Sequence, residues 1–118
     1  MPEVSLNLIV IRSKNLEVSR TFYAAIGLRL KDEQHLHGPI HLVAVLGEVV
    51  FEVYPWDGVT PSTGPRLGFE VESIISVITA LGDQAKVIRE PSRREDDSRI
   101  VAVIEDPDGH KIELTQWS

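Results

Sequence analysis

Apolar and polar positions recur in the same order twice along the chain. In the first half, residues 5–12 are mostly apolar and predict a strand. Asn15 is a good helix cap, apolar residues follow it at helical spacing, and Gly27 is typical of a helix end. Three further apolar runs predict strands over 28–33, 40–46 and 49–54.

The order begins again after a segment rich in proline and glycine. Residues 66–71 predict a strand, and Ser73 and Gly82 bracket a helix with its apolar residues on one face. The segment 91–98 is polar and charged and predicts a loop or an edge hairpin. The remaining strands are predicted over 84–89, 100–105 and 110–116.

This internal duplication predicts an α+β fold of two βαβββ modules in tandem. We expect one domain over residues 1–118, with module one at 5–55, a linker at 56–65 and module two at 66–116. Each helix should cover one face of a mixed or antiparallel sheet. The opposite faces would then curl into the walls of a cleft.

Two carboxylates lie in matching places in the last strand of each half. Glu52 and Glu113 both interrupt runs that are otherwise apolar. A two-residue turn at 47–48 puts His41, Glu52 and Tyr54 on one face, because strand residues alternate. Either glutamate taken alone is most simply a solvent-facing residue. As a pair facing a cleft, they outline a metal or acid–base site.

The last strand pair flanks Asp-Pro-Asp-Gly at 106–109, a strong hairpin signal. Pairing across a two- or four-residue turn puts Glu113 on the face of Ala102 and Ile104. We expect the second helix to cover the other face, which would carry Val101, Val103, Ile112 and Leu114.

Composition narrows the possible functions. The formal net charge of −6 over 118 residues gives no support for binding nucleic acid or an anionic membrane, which need basic surfaces. No apolar run approaches the ~20 residues of a membrane span. The absence of cysteine excludes disulfides and thiolate sites. The first residues lack the features of a signal peptide, and we expect a cytoplasmic protein.

Three stretches of the chain resemble the vicinal oxygen chelate superfamily, which includes glyoxalase I, bleomycin-resistance proteins and extradiol dioxygenases. They are NLEVSRTFY at 15–23 followed by Gly27-Leu28, VFEVY at 50–54, and EDPDGHKIEL at 105–114. The resemblance covers essentially the whole chain. It implies two modules side by side around a cleft, a small-molecule ligand or substrate, and commonly a homodimer.

The resemblance also implies four positions for metal ligands in the metal-using members, one on the first and one on the last strand of each half. Glu52 and Glu113 match the last-strand positions, and Leu8 and Arg66 match the first-strand positions. Leucine has no donor atom, and arginine stays protonated. The usual imidazoles are therefore absent from these positions.

Three alternatives follow for the site. His41 shares the predicted face of Glu52 and can replace a missing imidazole, although the plain interpretation is a partly exposed strand residue. His35 or His37, on the neighbouring connection, can also approach. In the third alternative, Arg66 pairs with a glutamate or binds an anionic ligand.

Two functions fit the resemblance. A third, plainer possibility is that the cleft is vestigial and that the protein has a structural or regulatory role. In the first, the protein is a glyoxalase-like lyase, isomerase or dioxygenase with catalytic Glu52 and Glu113. A divalent ion of nickel, zinc, iron or manganese would be held by these glutamates and His41, and would polarise vicinal oxygens of the substrate.

The second function is that of a metal-free small-molecule binding or resistance-type protein. Arg66 would then stand in the place of a metal ligand. Tyr54 and Trp56 would line the ligand pocket, as aromatic side chains often do.

Overall fold

The computed structural model describes residues 5–59, 63–95 and 97–117, and it confirms the α+β fold with two tandem modules. The chain divides into two compact units, residues 1–62 and 63–118. The first contains β1 (Leu8–Ser13), α1 (Leu16–Ile26), β2 (Lys31–Glu33), β3 (His41–Leu46) and β4 (Val49–Pro55). The second contains β5 (Leu67–Glu70), α2 (Ile74–Leu81), a 3₁₀ turn (Gly82–Gln84), β6 (Lys86–Arg93), β7 (Arg99–Glu105) and β8 (Lys111–Trp117).

The division between the units falls inside the segment predicted as a linker, of which residues 60–62 lie outside the described part of the chain. That both modules act as one domain stays a prediction. Among the helices of the described residues, none has the length and apolar character to cross a membrane.

In the first unit, a helix covers one face of a mixed sheet in the order β1-β4-β3-β2. β1 runs parallel to β4, and the other neighbours are antiparallel. The rings of Tyr23 on α1 and Phe51 on β4 meet edge to face, with centroids 5.4 Å apart, and both are buried. Because strand residues alternate, Glu52 lies on the face that α1 leaves uncovered.

The second unit repeats this arrangement with the sheet order β5-β8-β7-β6. The backbone N–H of Ile74, at the start of α2, donates to Oε1 of Gln116 on β8 at 2.6 Å. Ile112 and Leu114 alternate with Glu113 on the same strand as Gln116 and are fully buried. The helix therefore covers the face of these residues, and Glu113 lies on the uncovered face, as we expected.

The closing hairpin corrects one part of the sequence prediction. Its loop has five residues, 106–110, since Glu105 pairs with Lys111. The N–H of Asp106 donates to the carbonyl of His110, and Oδ1 of Asp106 accepts from the N–H groups of Asp108 and His110. These bonds stabilise a loop with an odd number of residues, whereas the prediction considered only turns of two or four residues.

An odd loop shifts the pairing by one residue and exchanges the faces of the partner strand. Glu113 lies opposite Val103, so the predicted face shared with Ala102 and Ile104 is wrong. Ala102 pairs instead with Leu114, on the face under the helix.

The segment 91–98, predicted as a loop or an edge hairpin, belongs to the hairpin of β6 and β7 at the edge of the sheet. β6 continues through Pro91 to Arg93, so the strand extends beyond the predicted bounds of 84–89, and Asp96 lies outside the described residues. The proline is tolerated because β6 is an edge strand, and two register irregularities accommodate the change of pairing. Arg89 thereby comes opposite Val103, on the same face as Glu113.

We expect Asn15→Ala to destabilise the protein by about 1 kcal/mol, as is usual for loss of a helix cap. The side-chain oxygen of Asn15 accepts from the N–H groups of Glu17 and Val18, which have no other partner in the helix. Chemical denaturation measures the change. Asn7→Ala is the matched control, since Asn7 is exposed and outside the regular elements. Equal effects of the two substitutions would contradict the assignment.

We also expect a pH-dependent contribution from the ion pair that spans the closing hairpin. Nζ of Lys111 donates to Oε2 of Glu105 at 2.5 Å, and this bond holds the pKa of Glu105 below its ordinary value of 4.5. The folded state therefore binds fewer protons than the unfolded state. The stabilisation is complete above pH 4.5 and is lost as the pH falls through the lower, folded-state pKa.

The measurement is the difference in unfolding free energy between the wild-type protein and Glu105→Gln, followed from neutral to acidic pH. We expect this difference to shrink on acidification. Glu90→Gln, the same change on an exposed residue of the same unit, should show no such trend. A difference for Glu105→Gln that stays constant with pH would refute the coupling.

Candidate functional site

A buried histidine lies at the start of β3. Only 1% of His41 is exposed, and its ring stacks on Tyr54 of β4 with centroids 4.0 Å apart and an interplanar angle of 8°. Val43 pairs with Glu52, so the face predicted for His41, Glu52 and Tyr54 is the one observed. The alternative of a partly exposed His41 is wrong, because Tyr54 and the neighbouring strands cover the imidazole.

His41 belongs to a group of two imidazoles and two carboxylates. Its Nε2 atom lies 2.9 Å from Oε1 of Glu33 and 3.5 Å from Oε2 of Glu52. The same oxygen of Glu33 lies 3.0 Å from Nε2 of His35. One ligand atom from each of the four residues lies within 4.8 Å of the others. His37, the other histidine of this connection, is exposed and outside the group.

The charges of this group act on its neighbours. The hydrogen bond from His41 is the main cause that lowers the pKa of Glu33 below its ordinary value of 4.5. Burial raises the pKa of the Tyr54 hydroxyl, and the nearby carboxylates of Glu52 and Glu33 raise it further. The phenol of Tyr54 therefore holds its proton more tightly than an exposed tyrosine does.

Sequence reasoning did not assign a role to Glu33. It ends β2, and it pairs directly with His41 across the connection 34–40. The one sequence signal for this pair was that Glu33 and His41 lie directly before and after the connection. The pairing itself could not be predicted, because a seven-residue connection does not fix the register of the strands that it joins.

In the second unit, Glu113 pairs with Arg66. Nη1 of Arg66 donates to Oε1 of Glu113 at 3.4 Å, and the glutamate side chain is one-third exposed, at 33%. Gly68 is the direct neighbour of Glu113 on β5, so alternation places Arg66 on the same uncovered face. This is the ion pair of the third alternative.

The four positions that match the metal ligands of relatives do not fit a metal ion in this chain. Val10 pairs with Glu52, so Leu8, two residues earlier, lies on the carboxylate face but offers only an apolar side chain. At the corresponding place in the second unit, a protonated guanidinium already neutralises Glu113. Of the predicted ligands, His41 adjoins Glu52 within the first unit, and Glu113 adjoins Arg66 within the second.

The face of Glu113 also borders a cavity of about 720 Å³. Three arginines and two glutamates contribute to it, so the lining carries more positive than negative side chains. The sequence prediction put Arg89 at the end of a strand and Arg93 and Arg94 in the charged segment 91–98, and it did not bring them together, because the bulged continuation of β6 has no regular alternation. The lining residues are Arg89, Ser92, Arg93, Arg94, Glu95, Val101 and Glu113.

The predicted ligand-binding aromatic residues are in different surroundings. Tyr54 is part of the stack beneath His41. Trp56 follows β4, is about one-third exposed, and contacts Nζ of Lys14 at 5.2 Å from its ring centroid. The structure therefore brings Tyr54, and not Trp56, to the group of imidazoles and carboxylates.

Comparison with known proteins gives relatives with the same fold. An antibiotic-binding protein, TnmS3 from Streptomyces sp. CB03234, superposes with a TM-score of 0.74 at 22% identity, covering 100% of this chain and 99% of that one. A glyoxalase/bleomycin resistance protein from Albidiferax ferrireducens T118 superposes with a TM-score of 0.72 at 20% identity, covering 96% and 98%.

A curated relative adds a local similarity in sequence. A probable lactoylglutathione lyase from Synechocystis sp. (strain ATCC 27184 / PCC 6803 / Kazusa) is 45% identical over 54 residues, which are 45% of this chain and 41% of the relative. The match thus spans about two-fifths of the relative's length. The family model of the Glyoxalase/Bleomycin resistance protein/Dioxygenase superfamily matches residues 5–114. The chain belongs to the Glyoxalase/Bleomycin resistance protein/Dioxygenase superfamily.

Proposed function

We propose that this protein binds a small anionic organic molecule on the uncovered face of its second sheet, without a metal ion at that face. The observation that carries the proposal is the cavity of about 720 Å³ bordered by three arginines and Glu113. The pair of Arg66 with Glu113 supports the absence of a metal, since the guanidinium already supplies the positive charge.

The size and charge of the cavity suit such a ligand. Pockets of roughly 300–1,000 Å³ hold most small organic ligands. Arginine binds carboxylate and phosphate groups through two parallel hydrogen bonds. Arg89 stands on β6 opposite Val103, and Val103 stands opposite Glu113, so the arginine and the glutamate face the same volume. A ligand with carboxylates and one amine or hydroxyl would use both.

Two relatives support a small-molecule ligand, and the second supports an anionic one. One is called an antibiotic-binding protein, and the other is called a lactoylglutathione lyase. Lactoylglutathione carries two carboxylates and one ammonium group. Its carboxylates would meet the arginines, and its ammonium group would meet Glu113.

We expect S-lactoylglutathione to bind the wild-type protein in isothermal titration calorimetry, and Arg89→Gln to weaken the binding by about tenfold or more, as for loss of a charged hydrogen bond. Arg29→Gln is the matched control, because Arg29 is an exposed arginine of the first unit. No binding of S-lactoylglutathione or of other dicarboxylates would overturn the proposal. Equal weakening by both substitutions would place the ligand elsewhere.

A second candidate function is the glyoxalase-type isomerisation itself. The local identity to a probable lactoylglutathione lyase favours it. The carboxylate of Glu113 would take the proton from the carbon bearing oxygen and sulfur in a hemithioacetal and return it to the adjacent carbon. The hydroxyl proton on the first carbon would pass to the oxygen of the adjacent carbon, which leaves the thioester carbonyl behind. Neighbouring arginines would stabilise the negative charge that develops on oxygen.

If this second function holds, wild-type protein forms S-lactoylglutathione from glutathione and methylglyoxal, followed by the absorbance of the thioester. Glu113→Gln should then lower kcat by about 100-fold or more, which is the usual scale for loss of a catalytic base. Glu90→Gln should keep full activity. An unchanged kcat in Glu113→Gln would exclude Glu113 as the base, and Glu52→Gln would next be compared.

The homodimer and the cytoplasmic location expected from the sequence remain proposals. A dimer would fit the family resemblance, and sedimentation equilibrium of the purified chain tests it. Monomeric protein at micromolar concentration would contradict it.

A further inference from the structure

We propose that Glu33, His35, His41 and Glu52 form a binding site for one divalent transition-metal ion of the zinc type. The site lies within the first unit. Three of its four members lie outside the positions that match the metal ligands of relatives. It is independent of the proposed anion-binding face, which uses residues of the second unit.

The two ring nitrogens of His41 have different surroundings. Its Nδ1 atom lies 3.3 Å from the carbonyl oxygen of Pro39. Its Nε2 atom lies 2.9 Å from Oε1 of Glu33 and 3.5 Å from Oε2 of Glu52, so three possible ligand atoms meet at one place.

In many metal sites a histidine binds the ion through one ring nitrogen, while the other nitrogen lies beside a backbone carbonyl or a carboxylate. His41 has this arrangement, with Nε2 on the side of the two glutamates. The stack of His41 on Tyr54 fixes the ring further.

The distances within the group fit one tetrahedral ion. Bonds of ~2.0–2.1 Å to a tetrahedral zinc ion place the ligand atoms about 3.3 Å from one another. The observed separations of 2.9, 3.0 and 3.5 Å in this group lie on both sides of that value. Small side-chain rotations would bring all four atoms, now within 4.8 Å of one another, around one ion.

The positions of the four side chains allow both access and adjustment. His41 and Glu52 form the inner side of the site, with 1% and 13% of their side chains exposed. His35 is 67% exposed and Glu33 is 36% exposed, so an ion can enter from their side. His35 also stacks on His41, with centroids 5.3 Å apart, which keeps its Nε2 atom beside Glu33.

The ligand types select the ion. Two imidazoles with two carboxylates suit zinc and nickel, whereas magnesium and calcium prefer oxygen ligands throughout. The chain has no cysteine that could bind zinc elsewhere.

The test uses the full chain without a histidine tag, stripped with a chelator and titrated with zinc chloride in a calorimeter. We expect one zinc ion per chain, confirmed by elemental analysis after dialysis, and weak or no binding of magnesium. His35→Ala and Glu33→Gln should each weaken zinc binding by about tenfold or more, on the scale known for metal sites. His37→Ala is the matched control and should leave the affinity unchanged.

A spectroscopic measurement covers the case in which variants of buried residues fail to fold. In the wild-type protein, zinc should shift the ¹⁵N resonances of the ring nitrogens of His35 and His41, and leave those of His37 and His110 in place. Absence of stoichiometric zinc binding would overturn the proposal. So would ring-nitrogen resonances of His41 that zinc leaves in place, or an equal loss of affinity in His37→Ala and His35→Ala. Loss of S-lactoylglutathione binding in Arg89→Gln has no bearing on this site.

Discussion

The packing of each helix on one face of its sheet decides where polar chemistry can lie in this chain. The covered faces hold the aromatic and branched side chains, such as Phe51 under α1 and Leu114 under α2. Strand alternation then forces the intervening residues, Glu52 and Glu113, onto the uncovered faces. A carboxylate in the middle of a strand, flanked by apolar neighbours, is partly removed from water, and it needs a positively charged or hydrogen-bonding partner there.

The two units meet this need in different ways. In the first, a buried imidazole supplies the partner, and a second carboxylate from the edge strand joins it. In the second, a guanidinium from the first strand supplies it, with further arginines along the edge strand. The repeat therefore preserves the position of the acid and changes the chemistry around it. One unit gains a cluster of metal-ligand type, and the other gains a positively charged surface.

Much of the fold could be predicted from the sequence, because its signals are local. Asn15 caps a helix through its own side chain, Gly27 adopts the φ of +118° that favours glycine, and alternation in β4 fixes the face of Glu52. The register of the closing hairpin could not be predicted in the same way. Asp106 accepts bonds from two backbone N–H groups within the loop, and this adds the one residue that exchanges the faces of β7.

The candidate site was predicted only in part for a related reason. His41 and Glu52 lie on strands joined by a two-residue turn, so alternation brings them together. Glu33 reaches His41 across a seven-residue connection, and Arg89 reaches the face of Glu113 through an irregular edge strand. In both cases a long-range pairing, which no local pattern encodes, supplies the partner. The residues that give each carboxylate its chemical character are thus those whose positions depend on the complete sheet.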